Sequence, residues 1–515
     1  MIQKGELVNP TEVFDFLAEI EGRFPVDQWV VGGIRFWPIL RVHLAFQLDD
    51  FAVRQPPITS VKTITKQVAS IANGLVQYVQ ARISDASHEA SPNRRADAVI
   101  LTQTACRFFS VEGRSYDIFS GSFNNILGKT GRTALLLEYA PKGEYRIPRY
   151  QDSIFIQPRL DYYKIRAFFK SFLRCTQEIP GFDDFIRFVN ERVPGNAPTV
   201  RQIRLQISFM KNCAEYFKRQ LLQSKATAGF VINYYCLLGM AFNMACREIG
   251  IPSVDIQHGI AGHHHPAYGR WNRIPAQGFE MLPTYFWCWS EAEAEAIRAW
   301  NKSCFQLHQP LVGGNLAIHM FQQADNDLVR YFDQLMLSSK MLTGKATNIL
   351  VTLQTGRGIQ QILKEALLRS PESLTWWIRL HPSMDNAERE TIRDILKQVN
   401  VRNYNLDEAS ELPLYSILRH TDVHVTESSA VTMDAANFGV RTVLINTTRT
   451  QYFSDYISSG LVVIAKSAGD LLNEVEGIVK RNGAATVFRV GDYTELRDGE
   501  RALENIFGNA GSPRR

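Results

Sequence analysis

The feature that most constrains this chain is an alternation of short apolar runs with amphipathic stretches, which begins after residue 95 and restarts near residue 348. An apolar run with no polar alternation has to be covered on both faces, so such runs belong to parallel sheets flanked by helices. In the first block, Ala96–Thr102, Ala134–Glu138, Phe230–Ile232 and Ser253–Gln257 read as strands, and Tyr116–Leu127 and Leu237–Ile249 as helices. In the second, Asn348–Leu353, Thr375–Leu380, Val423–Thr426 and Thr442–Ile445 read as strands, with helices over Gly358–Leu368 and Ala430–Phe438. The expected fold is α/β, two Rossmann-like domains facing a cleft, with a mainly helical N-terminal extension. Ligands in such sheets sit at the carboxyl ends of the strands.

A chain of 515 residues exceeds what one hydrophobic core supports. The expected division is a helical extension over 1–95, Rossmann-like domains over 96–325 and 326–495, and a C-terminal helix with a disordered tail over 496–515. A polar, Pro-containing linker is expected at His88–Arg95. Gly229–Cys246 carries no charge over about a membrane-spanning length. Its Asn and Gly residues and its strand-like start favour a buried strand feeding a buried helix. The formal net charge of +5 is too small a bias to imply nucleic acid. Seven cysteines form no C-x-x-C pair, which fits a reduced, cytoplasmic setting and gives no metal knuckle. Met1–Glu6 lacks the apolar region of a signal peptide.

Candidate site residues gather where expected strands end. After Asn348–Leu353 comes Gln354-Thr355-Gly356-Arg357-Gly358, then a helix. Glycines allow close backbone approach, and a helix start offers free N–H groups to an anion. The alternative is an ordinary turn punctuated by Gly. The next strand ends in Arg379-Leu380-His381-Pro382, where Arg379 and His381 share a parity and so a face. His381 can donate to a phosphate, or merely cap the helix that follows. The third strand runs into Glu427-Ser428-Ser429. The serines suit an N-cap or a pyrophosphate, Glu427 can accept from ribose hydroxyls, and Asp434 supports the same place or is a solvated helix residue. Three such sites in one α/β block converge on a nucleotide pocket.

In the first block, Gln257-His258-Gly259 ends a strand, making His258 a candidate acid/base. The loop Gln103–Asp117 adds Glu112 and Asp117 as possible bases, although each alone reads as a surface charge. Consecutive His263, His264 and His265 cannot share one face easily, so no metal site is expected.

These residues resemble bacterial surface-polysaccharide glycosyltransferases of the GT-B fold, the capsule and O-antigen type. The resemblance is carried by Tyr234-Tyr235, Gln257-His258-Gly259, Leu282–Ser290, Val312–Asn315, Arg379-Leu380-His381-Pro382 and Ser428-Ser429 through Asp434 to Gly439-Val440. It implies a UDP-, GDP- or CMP-linked sugar donor on the C-terminal domain, a glycan or lipid-linked acceptor on the N-terminal one, and neither cofactor nor catalytic metal. Similar His-Pro motifs occur in CMP-sugar and polyol-phosphate transferases, but Thr426-Glu427-Ser428-Ser429 departs from the latter's Thr-Asp-Tyr-Ser-Ser. A nucleotide-sugar 2-epimerase and a non-catalytic assembly protein are the alternatives. Basic, aromatic stretches at Phe24–Leu48, Thr59–Ser84 and Asp161–Arg174 are either amphipathic helices on the core or contacts with the inner face of the cytoplasmic membrane.

Overall fold

The computed structural model describes residues 10–48, 95–140, 145–170, 178–193, 197–323, 325–339, 341–342, 347–399, 401, 403–446, 450–482 and 496–508. The expected linker up to residue 94, the stretch 59–84 and the tail from 509 lie outside these residues. The chain divides into two compact units. The first takes described residues from 1–107, 112–316 and 494–515, and the second from 108–111 and 317–493.

The first unit is built on a seven-stranded sheet of β1 (Ala98–Gln103), β2 (Ala134–Tyr139), β3 (Ile154–Phe155), β4 (Ala228–Val231), β5 (Ser253–Ile256), β6 (Tyr285–Cys288) and β7 (Gln309–Val312). Their spatial order is β7-β6-β5-β4-β1-β2-β3, and every pairing is parallel. The second unit holds β8 (Thr347–Thr352), β9 (Leu374–Arg379), β10 (Tyr404–Asn405), β11 (Val423–Thr426), β12 (Arg441–Leu444) and β13 (Val462–Ile464). Here the order is β10-β9-β8-β11-β12-β13, again parallel throughout. Each sheet therefore reverses its winding once, between β1 and β4 and between β8 and β11. In doubly wound folds that switch point opens the ligand crevice.

The parity of β1 sorts the first unit into two cores. Val99 and Leu101 face a core that contains Trp29, Phe36 and Trp37 of the N-terminal segment. Ala98 and Ile100 face the other side, where Ala502, Leu503 and Ile506 of the helix Leu496–Gly508 pack. The chain's two ends thus cover opposite faces of one sheet. Phe24, Trp29, Phe36, Trp37 and Arg41 are all buried, which removes Phe24–Leu48 as a bilayer-facing segment. The uncharged stretch 229–246 is β4, a turn and the helix Leu237–Glu248. That turn is tight, because a Cβ on Gly239 would lie 2.1 Å from the Asn233 carbonyl oxygen. Among the described residues no helix is long and apolar enough to cross a membrane. The helix expected from Gly358 starts only at Gln361, because Gly356 and Gly358 sit at φ of 76° and 61° and hold the chain in a turn.

Candidate functional site

In the second unit Thr355, His381, Glu427 and Ser428 lie at the ends of β8, β9 and β11, at and beside the switch point. Thr355, just beyond β8, lies 3.1 Å by its Oγ1 from His381 Nδ1 and 3.0 Å from Ser383 Oγ. His381 Nδ1 accepts from the Ser383 backbone N–H at 3.2 Å and lies 2.7 Å from its hydroxyl. Because Nδ1 accepts, the proton of the neutral ring sits on Nε2, leaving that N–H free to donate. Partial burial and the Arg379 cation lower the His381 pKa, which favours this neutral form. Pro382 starts the turn that brings Ser383 back onto the ring.

Around this cluster the other residues tie the neighbouring loops and strand ends together. Ser428 Oγ donates to Gln354 Oε1 at 3.1 Å, joining the ends of β8 and β11 across the switch point. Ser429 Oγ accepts from the Val431 N–H at 3.3 Å, at the entry to the helix Val431–Asn437. Glu427 accepts from Arg357 Nη1 at 3.2 Å, from Gln360 Nε2 at 2.9 Å and from Asn446 Nδ2 at 3.4 Å. It thereby fixes a cation of the glycine turn at the mouth of the site. The Gly356 N–H donates to Glu388 Oε1 at 2.5 Å, so this turn already holds a carboxylate. Arg379 is buried, and its Nη1 donates to the carbonyls of Ala409 and Leu412 at 2.7 and 2.6 Å. It braces the chain ahead of β11, and desolvation lowers its pKa to about 10. Asp434 is buried, accepts from the Tyr415 hydroxyl at 3.4 Å, and is pushed up to about 7 by burial. It is a core carboxyl rather than a solvated one.

In the first unit, His258 follows β5. Its Nδ1 lies 3.4 Å from the Ile256 carbonyl, which can only accept, so Nδ1 carries the proton. Nε2 then accepts from the Tyr235 hydroxyl at 3.2 Å. Burial pushes the imidazole down to about 4, so the ring is neutral at pH 7. Tyr235 stacks on His258 and also meets His265, while Gln257 bridges from Gly259 O to the Trp289 N–H after β6. Beneath them Asp255 accepts from the Tyr234 N–H at 3.0 Å and the Tyr268 hydroxyl at 2.8 Å.

The two carboxylates expected near His258 have other placements. Asp117 is fully buried and caps the helix Ile118–Lys129, accepting from the Phe119 and Ser120 N–H groups and from Thr102 Oγ1 at 2.6 Å. Burial raises its pKa against the pull of Arg107. Glu112 is exposed at a tight turn with φ of 49°. Arg107 instead forks onto Glu138 at 2.9 and 2.8 Å, a fully buried pair at the end of β2. Among the described residues no group of His, Cys, Asp or Glu is arranged to hold a metal ion. Sequence reading missed Ser383, Gln360 and Asn446 in the second unit and passed over Tyr235 as a site residue in the first. Asn446 directly follows the apolar run at the end of β12, whereas Gln360 and Ser383 come after polar turn residues and carry no such local signal.

Two parallel sheets of Rossmann order in one chain, each with polar side chains at its switch point, define a two-domain α/β fold of the GT-B-like class. No family model matches the sequence, and no curated protein does. Among solved structures, the chain is similar to a UDP-GlcNAc 2-epimerase from Neisseria meningitidis bound to UDP-GlcNAc, at 12% identity over 80% of this chain and 100% of that one, with a TM-score of 0.47. It is also similar to a UDP-GlcNAc 2-epimerase from Methanocaldococcus jannaschii (11% identity, 79% of this chain and 99% of that one, TM-score 0.47). The wall teichoic acid polymerase TagF is a third (9% identity, 88% and 98%, TM-score 0.46). The fold class rests on the strand orders.

Proposed function

We propose that this protein is a glycosyltransferase that takes a sugar from a nucleotide-activated donor held at the second unit's switch point. The acceptor would be a glycan or a lipid-linked saccharide of the cell surface. The observation that carries this reading is the Thr355–His381–Ser383 cluster beside the Gly356–Gly358 turn, which leaves His381 Nε2–H free to donate. A neutral donor aimed at a diphosphate stabilises the charge that grows as the bond from the sugar carbon to the phosphate oxygen breaks. Arg357, steadied by Glu427, supplies a fixed cation beside it. Within the first unit, His258 Nε2 is the group best suited to take a proton from a hydroxyl, which would displace the Tyr235 O–H. In transfer the acceptor oxygen bonds to the sugar carbon, its proton passes to a base, and the electron pair of the broken bond leaves with the nucleotide. An anionic ligand nearby would raise the basicity of this ring. Asp117, committed to its helix cap, and Glu112, on an exposed turn, suit that role less well.

Calorimetric titration with UDP-, GDP-, CMP- and CDP-linked sugars tests the donor half. One class should bind, and His381→Ala should weaken it about 10-fold through one lost hydrogen bond to a charged group. His258→Ala should leave that affinity unchanged and abolish transfer. Failure of all four classes to bind would sink the reading. NMR of the donor incubated without acceptor gives the other decisive outcome, since C2 epimerisation there would replace transfer by isomerisation.

A further inference from the structure

We infer that the outward face of the helix Gln157–Lys170 is a docking surface for an anionic lipid bilayer. Among the described residues of the basic, aromatic stretches, those of this helix are the ones with large aromatics in solvent. Tyr162 is 52% exposed and Phe169 67%, whereas Leu160, Tyr163 and Ala167 on the adjoining face are buried. Arg159, Arg166 and Lys170 are exposed as well. The positions 159, 162, 166, 169 and 170 fall within about 100° of arc at 3.6 residues per turn, so these five side chains form one stripe. The helix's single carboxylate, Asp161, is turned inward and accepts from Gln157 Nε2 at 2.8 Å and Lys164 Nζ at 3.0 Å. The exposed stripe therefore holds three cations, two aromatics and no anion.

Scattered exposed apolar residues need no explanation, but two large rings interleaved with three cations at helical spacing do. The helix is fixed from behind, where Tyr163 accepts from Arg219 Nη2 at 3.2 Å on the helix Val200–Ser224. Rings that sit at headgroup depth beside cations that meet lipid phosphates are how a helix lies on an anionic membrane without crossing it. A nucleic acid would use the same cations but would call for a broader positive field than a net charge of +5 supplies. This inference stands apart from the proposed transfer reaction, because it concerns another surface and another ligand.

Co-sedimentation of the full chain with phosphatidylcholine vesicles, with and without phosphatidylglycerol, tests it. The protein should pellet with the anionic vesicles, less so at high salt, and stay in solution with the neutral ones. Arg159→Gln/Arg166→Gln/Lys170→Gln should weaken the partition by about 5-fold per cation, on the order of 100-fold together. Tyr162→Ser/Phe169→Ser should weaken it even at low salt, and all these exposed changes should leave the melting temperature in place. Equal pelleting with neutral vesicles, or variants that pellet like the parent, would overturn the inference. So would preferential capture of a single-stranded RNA oligonucleotide that the cation-free variant no longer binds. Donor titrations on the same variants are expected to match the parent, so failure here leaves the transfer reading untouched.

Discussion

Glu21→Gln should be among the most damaging single-atom changes in the first unit. Glu21 and Arg41 are a fully buried ion pair, with Nε to Oε1 at 3.0 Å. Oε1 also accepts from Trp37 Nε1 at 2.9 Å, and Oε2 from the Asn272 N–H at 2.8 Å. Arg41 in turn donates to the carbonyls of Pro266, Gly269 and Arg270 and lies 4.2 Å over the Trp271 ring. The pair thus ties the N-terminal helices to the loop that carries His265. A glutamine keeps the shape but puts an NH2 against donors on one side and strands the Arg41 cation without its countercharge. Removing one partner of a buried pair costs about 3–5 kcal/mol. At about 2 °C per kcal/mol for a unit of this size, the first thermal transition should fall by roughly 6–10 °C. Differential scanning calorimetry measures this, and hydrogen exchange over 263–272 should show faster amides. Adding Arg41→Met removes the stranded charge, so the double variant should lose less than the sum of the two single losses. A fall of under about 2 °C for Glu21→Gln, or strict additivity in the double variant, would refute the claim that this is a coupled charge pair in a dry core.

Two further outcomes follow from the same structure. Burial pushes Asp255 up to about 7 from an ordinary value near 3.8, so the folded chain binds the extra proton between those values. Stability at this group is therefore greatest at acid pH and declines as pH rises from about 4 to 7; thermal melts across that range should show Asp255→Asn lacking this decline, and parallel curves would show that the carboxyl is not desolvated. Gly239→Ala places a methyl 2.1 Å from the Asn233 carbonyl oxygen, where only backbone movement gives relief, so a loss of a few kcal/mol in urea unfolding is expected. An unchanged midpoint would mean that the turn after β4 is looser than described.

The strand ends of the second unit were unusually legible in the sequence. Strand ends there are marked by abrupt changes from apolar to polar residues, at Leu353-Gln354, Leu380-His381 and Thr426-Glu427, and the doubly wound order brings neighbouring strand ends together. Local pattern was enough because each residue sits next to the strand that places it. It was not enough for Arg379, which has the parity of His381 but spends its donors on the carbonyls of Ala409 and Leu412, some thirty residues away. Nor could it assign Asp117 to a helix cap shared with Thr102, since a carboxylate at a helix start looks alike in sequence whether it serves the fold or a ligand.

By itself the sequence determined buried strands such as β1, β2, β8 and β9, because continuous apolar runs are satisfied inside a parallel sheet covered on both sides, whereas the half-buried edge strands β7 and β10 carry no such run. It also determined the turn at Gly356–Gly358, where φ above zero favours glycine. Tertiary structure alone decided what covers those sheets. Whether Phe24–Leu48 faced lipid or core depended on Glu21, Arg41 and Asn272 meeting across more than two hundred residues. Such pairings are set by chain topology, and burial then fixes the ionisation of Asp255, His258 and Asp434 through the loss of water, which no local pattern records.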